Sequence, residues 1–121
     1  MPQKLLLERL RNGSLIVCFE TMQVLSTLNG HRTVAPTPMR FYTNGRVGEY
    51  LSVRIRYRGC RINIPVHRLA WLAHTMKPIR KGYEVHHKKT DEKSNWHYSN
   101  LECLTRLQHY ERHNSEPFEF T

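Results

Sequence analysis

From Leu51 to Arg58 the chain alternates strictly, with Leu51, Val53, Ile55 and Tyr57 on one side of an extended backbone and Ser52, Arg54, Arg56 and Arg58 on the other. Arg58-Gly59-Cys60-Arg61 suits a turn back, and Ile62, Ile64 and Val66 carry the alternation onto a second strand. Pro65 lacks a backbone N–H and suggests an edge position there. Asn44-Gly45 marks an earlier hairpin, so an antiparallel meander is expected. Toward the N-terminus, Lys4 to Arg11 reads as a short amphipathic helix stopped at Asn12-Gly13, and Leu15 to Phe19 as a buried strand. Asn29 to Met39, with two prolines, reads as turn-rich. Near the other end Leu101, Leu104, Leu107 and Tyr110 recur close to the helical period, and no breaker intervenes before Pro117. That spacing predicts a helix from Ser99 to His113, followed by a loosely held tail over 115–121.

With 121 residues and neither linker nor repeat, one compact α+β domain is the natural reading. Cys18, Cys60 and Cys103 are odd in number, far apart and without a Cys-x-x-Cys pair. That argues against a disulfide framework and against a structural zinc knuckle, so the core must come from ordinary burial. No apolar run approaches membrane-spanning length. Without a secretory leader pattern, Asn12-Gly13-Ser14 is read as a turn rather than a glycosylation site, and a soluble, intracellular protein is expected.

Charge narrows the class of partner. Nineteen Lys and Arg oppose ten Asp and Glu, a net +9. The excess is local, because Arg40 to Lys89 holds twelve basic residues against two acidic ones. A polyanion is the expected partner of that half of the chain. The arginine face of the alternating strands, Arg54, Arg56, Arg58 and Arg61, together with Lys88 and Lys89, is the predicted DNA-contacting surface. The bland alternative for the strand arginines is a solvated edge protected from aggregation by charge.

The chemistry concentrates in the histidines. Neutral imidazole is both a ligand for divalent metals and a base near neutral pH, so one residue type can do two jobs. His86 and His87 are adjacent, and on an extended strand their side chains point to opposite faces; one can ligate while its neighbour does something else. His109 and His113, four apart, share a helix face and can grip one ion. A metal cage and a proton acceptor in one short stretch argue for a nuclease. His31, His67, His74 and His97 lack such company and are read as ordinary surface or core histidines.

The segment from about Val66 to Asn114 resembles the His-Asn-His (HNH) endonuclease family, on four landmarks in order: Val66-His67-Arg68-Leu69-Ala70, Pro78, Val85-His86-His87 and Asn100-Leu101-Glu102. It especially resembles phage-encoded homing endonucleases, free-standing or intron-borne. The resemblance implies a ββα-metal motif of two short strands and a helix around one divalent ion, here preceded by the β meander. It implies 66–114 as the nuclease motif, while pattern and charge give residues 1–65 as a helix and β region bearing the basic face and 115–121 as tail. It makes His87 the general base, His86 the first metal ligand and His109 the helix ligand, with His113 matching an additional histidine of the colicin-type branch. Asn100 takes the place of the central Asn, which braces the loop that fixes the base. Many phage relatives carry Asp where His86 stands, so the ion, one of Mg, Mn, Zn or Ni, is left open.

The expected activity is divalent-metal-dependent hydrolysis of DNA phosphodiester bonds, by nicking or double-strand cutting, from a monomer or a homodimer. Two other classes remain beside it. One is a DNA-binding or packaging accessory protein that keeps the fold without turnover, and the other is a small zinc-stabilised structural module, for which a closed set of four ligands is expected.

Overall fold

A computed structural model describes residues 1–43 and 50–115, the last four by backbone alone. The order is α1 (Gln3–Asn12), β1 (Leu15–Cys18), β2 (Gln23–Asn29), β3 (Arg32–Pro38), β4 (Ser52–Tyr57), β5 (Cys60–Pro65), α2 (Val66–Thr75), β6 (Tyr83–His87), β7 (Leu101–Thr105) and α3 (Arg106–Ser115). A 3-10 turn, Tyr98–Asn100, precedes β7. The architecture is α+β with small antiparallel sheets: a three-stranded β1-β2-β3 sheet and two hairpins, β4-β5 and β6-β7.

Local chemistry explains most boundaries. Gly13 ends α1 at φ 80°, a left-handed cap that an L side chain resists. Arg58 and Gly59, both at positive φ, form a two-residue turn that matches strand twist and returns β4 into β5. Val53 and Ile55 point into the core while Arg54 and Arg56 stay exposed, so the period-two reading of β4 holds.

A meander, β1-β2-β3, lies near the N-terminus, while β4 pairs with β5 and, through an isolated bridge at Ser52, with Tyr42. Three expectations change. Residues 29–39 are not merely turns: β2 and β3 form a hairpin at Gly30, and Pro36 and Pro38 are tolerated because β3 is an edge strand. Val66 does not extend β5; it opens α2, its side chain wholly buried. Leu101 to Thr105 is strand β7 rather than the start of a helix, and α3 begins only at Arg106. The leucine spacing was ambiguous over so short a run, and antiparallel pairing with β6, His87 opposite Leu101 and Val85 opposite Cys103, decides for strand. The Asn44-Gly45 hairpin and the tail lie outside the described residues.

One buried cluster joins the halves of the chain. Leu6 and Leu7 of α1, Leu15 of β1, Val53 of β4 and Ile64 of β5 meet Val66, Leu69 and Leu72 of α2, Val85 of β6 and Leu101 of β7. Each such aliphatic side chain contributes about 1.5–3 kcal/mol through burial, which fixes α2 and the β6-β7 hairpin relative to the N-terminal sheet. Gln3 adds a polar tie across 76 residues: its side-chain oxygen accepts from the Ile79 N–H at 2.6 Å and its amide donates to the Ile79 carbonyl at 3.3 Å. By contrast α3 leaves Leu107 and Tyr110 exposed and hangs mainly on β7.

Candidate active site

Strand β6 alternates its side chains between two environments, and that alternation builds the site. Val85 points to the core, so His87, two residues on, shares the core side; Glu84 and His86 share the other. His86 lies against His109 of α3, ring centroids 3.7 Å apart and nearly parallel. The Glu84 carboxylate is 3.7 Å from His86 Nε2. His87 packs instead on His67 of α2, at 4.7 Å between ring centroids, and Tyr50 meets the far edge of His67 at 5.1 Å. All these side chains line one open cavity of about 680 Å³, together with Arg68, Thr90 and Lys93.

The loop between β6 and β7 is held by Asn100, which is itself buried. Its Oδ1 accepts from the Lys89 N–H at 3.1 Å and its Nδ2 donates to the Asn95 carbonyl at 2.9 Å. The Asn100 carbonyl accepts from the Lys88 N–H at 2.7 Å. A side chain with one acceptor and one donor group thus bridges both ends of the loop directly after His87. Trp96, almost wholly buried between Phe19 and Phe41, anchors the same loop to the N-terminal region.

Burial shapes the electrostatics. Desolvation holds the His87 imidazolium below its usual range, with Lys93 and His86 pushing the same way and a hydrogen bond to the Lys93 backbone opposing them. His87 is therefore a neutral base at physiological pH. Among the described residues its buried Nε2 has no hydrogen-bond partner, while the ring bonds the Lys93 backbone. His67 is pushed down to about 3, first by burial and then by the charges of His87, Arg68 and His86.

Of the residues predicted from sequence, the fold brings His86, His87 and His109 to one cavity and puts Asn100 behind it. The side chain of His113 lies outside the described residues. Arg54, Arg56, Arg58 and Arg61 line a different cleft, of about 720 Å³, with Arg9 and Arg40 added from elsewhere in the chain and, among the described residues, no acidic side chain on its walls. Arg54 stacks on Tyr42 at 3.9 Å and donates to Asn63 at 3.1 Å, while Arg56 stands directly opposite Arg61 across the β4-β5 ladder. Lys88 and Lys89 sit on the Asn100-braced loop.

Sequence reasoning set His67 aside as an ordinary histidine, and the structure places it inside the site. The signal was its place in the Val-His-Arg-Leu-Ala run, but nothing in a single chain says that α2 will lay its first turn on β6. Glu84 was not singled out either, although its spacing of two from His86 on a strand puts both on one side. The other three histidines set aside stay outside: His74 stacks on Tyr98, His97 caps the 3-10 turn through the Ser99 N–H, and His31 is exposed.

Residues 65–110 match the HNH endonuclease family. The matched segment runs from the end of β5 through α2, β6 and β7 into α3 and contains His67, His86, His87, Asn100 and His109. No curated protein and no solved structure matches the chain. The HNH match supports a nuclease, a hydrolase with DNA as substrate. Among the described residues no helix is long and apolar enough to cross a membrane.

The donor set bears on a cation. Among the described residues no group of three His, Cys, Asp or Glu converges on one point. His86 and His109, brought into contact from a strand and a helix, nevertheless supply two imidazoles at one edge of the cavity, with the Glu84 carboxylate close by. Such a pair, with a carboxylate near it, suits a borderline divalent ion by donor type.

Proposed function

We propose that the protein is a divalent-metal-dependent DNA endonuclease in which His87 is the general base. The observation that carries this reading is the division of labour on β6, where adjacent imidazoles face different surroundings in one cavity, His86 with His109 and His87 with a buried Nε2 that has no partner among the described residues. In the proposed reaction His87 accepts at Nε2 the proton of the water that attacks a backbone phosphorus. Its hydrogen bond to the Lys93 backbone holds the ring in the tautomer that leaves Nε2 open. Asn100 acts through the loop as a positioning residue. His86 and His109, with His113 as a third candidate, would hold the ion, one of Mg, Mn, Zn or Ni. When bound there, a divalent ion supplies positive charge to the phosphate oxygens and the leaving oxygen. The DNA backbone lies along the arginine cleft and over Lys88 and Lys89. A homing role like that of the phage enzymes which the motif resembles is the biological setting of this proposal.

The cleft favours a second reading, a DNA-binding protein without turnover, because a wall of arginines serves binding whether or not bonds are cut. Incubation of supercoiled plasmid with the full chain, across a panel of ions and in chelator, separates the two. Ion-dependent conversion to nicked or linear DNA, lost in His109→Ala, is the expected result. Retarded but uncut plasmid under every ion would leave only the binding reading.

A further inference from the structure

Buried polar atoms in folded proteins are almost always hydrogen-bonded, and those that are not call for an explanation, such as a catalytic role, a bound water or an ion. Among the described residues, three such nitrogens, His67 Nδ1, Arg68 Nε and His87 Nε2, belong to residues that line one cavity. His87 has a role in the reaction proposed above. His67 and Arg68 have none, and they follow one another in the first turn of α2.

That first turn is an unusual place for an arginine. A helix N-terminus carries a partial positive charge, which disfavours a cation there by about 0.3–1 kcal/mol. No acidic residue sits in the first turn of α2, and no side chain caps it. The N-cap position is Pro65, and Val66 spends its N–H on the Leu51 carbonyl at 2.9 Å. The first turn of α2, with the Arg68 guanidinium and the imidazole of His67, at 9 % exposure, thus lines the cavity, whose described lining also includes Glu84. His67 is held neutral by burial and remains a donor without adding a second full charge.

We propose that His67 and Arg68, with the first-turn N–H groups of α2, form a phosphate subsite that holds one backbone phosphate of DNA beside His87. Arg68 supplies charge and a forked donor, the helix terminus supplies backbone donors, and His67 supplies a neutral one. The subsite rests on the nuclease reading for its substrate and not for its anion chemistry. It is separate from the arginine cleft, which shares no lining residue with it.

The test is equilibrium binding of labelled duplex DNA by the full chain in chelator, across a salt series, for the unmodified protein, Arg68→Gln and Arg68→Lys. One phosphate contact adds about 0.9 to the magnitude of the slope of log affinity against log salt. Arg68→Gln should lower the slope by about that amount and weaken binding roughly fivefold near 0.15 M salt. Arg68→Lys should restore most of both. Slopes that overlay in all three proteins would overturn the subsite, and equal losses in Gln and Lys would assign Arg68 to packing instead. As a second measurement, inorganic phosphate titrated into the unmodified protein should shift the backbone amide resonances of His67 and Arg68. No shift overturns the proposal even if the variants fail to fold, and a shift with no change in DNA slope would make this a site for free phosphate, overturning the backbone assignment. None of these readouts needs cleavage, so a protein that cuts no plasmid would sink the nuclease reading while leaving this one decided on its own terms.

Discussion

The β4-β5 cleft and the β6-α3 cavity both gather nitrogen cations or cation precursors, yet they treat them in opposite ways. In the cleft, Arg54 and Arg56 are exposed, and Arg54 already has an amide and an aromatic face to lie against. Water screens what is left, so the cost of holding Arg56 opposite Arg61 is small and a long phosphate backbone can relieve it. In the cavity, His67 and His87 are withdrawn from water, kept neutral, and left with ring nitrogens that nothing among the described residues bonds. Exposed charge acts over a distance and tolerates imprecise partners, whereas buried imidazole is specific in position and protonation state. The first suits capture of a polyanion and the second suits chemistry on one bond.

The comparison is broken most sharply by His87→Ala. If the cavity carries chemistry and the cleft carries binding, this variant loses about 10²- to 10⁴-fold in cleavage rate while DNA affinity in chelator is unchanged. Loss of metal binding instead, measured by calorimetric titration with Mn or Zn, would mean that His86 and His87 exchange roles.

Next in size is the reciprocal experiment on the cleft. Replacing Arg54, Arg56 and Arg58 together by glutamine should lower the slope of log affinity against log salt by about 2 to 3, leaving metal affinity intact. Binding curves that superimpose on those of the unmodified protein would show that this strand face is merely solvated.

Asn100→Ala probes the brace between the two. It leaves the Lys89 N–H and the Asn95 carbonyl without their partner, at a cost of about 1–3 kcal/mol in stability, and it should slow cleavage more than it weakens binding. Chemical denaturation beside a turnover assay checks both; unchanged turnover at reduced stability would confine Asn100 to folding.

The remaining effect is on acid stability in chelator. His67 has a folded-state value of about 3 against 6.5 for the free side chain, so the unfolded chain binds the extra proton between those limits. Stability should therefore fall as pH drops below 6.5, by up to about 1.4 kcal/mol per pH unit, and His67→Phe should flatten that limb. An identical pH dependence in both proteins would mean that His67 is not desolvated as the structure has it.

Much of this molecule was decided locally. Alternation predicts β4 and most of β5, Asn12-Gly13 predicts the end of α1, and the charge imbalance between Arg40 and Lys89 predicts a basic surface, because each depends on neighbours a few residues apart. The spacing of His86, His87, Asn100 and His109 was equally legible. Only the tertiary structure could decide the rest. Leu101 to Thr105 has a spacing that suits a helix and becomes a strand because β6 offers a ladder to pair with. His67 looks like any other histidine until α2, pressed down by Leu69 and Leu72, lays it on His87. Arg9 and Arg40 join the cleft from distant parts of the chain. Pairing, burial and the loss of water are non-local, and no window of sequence contains them.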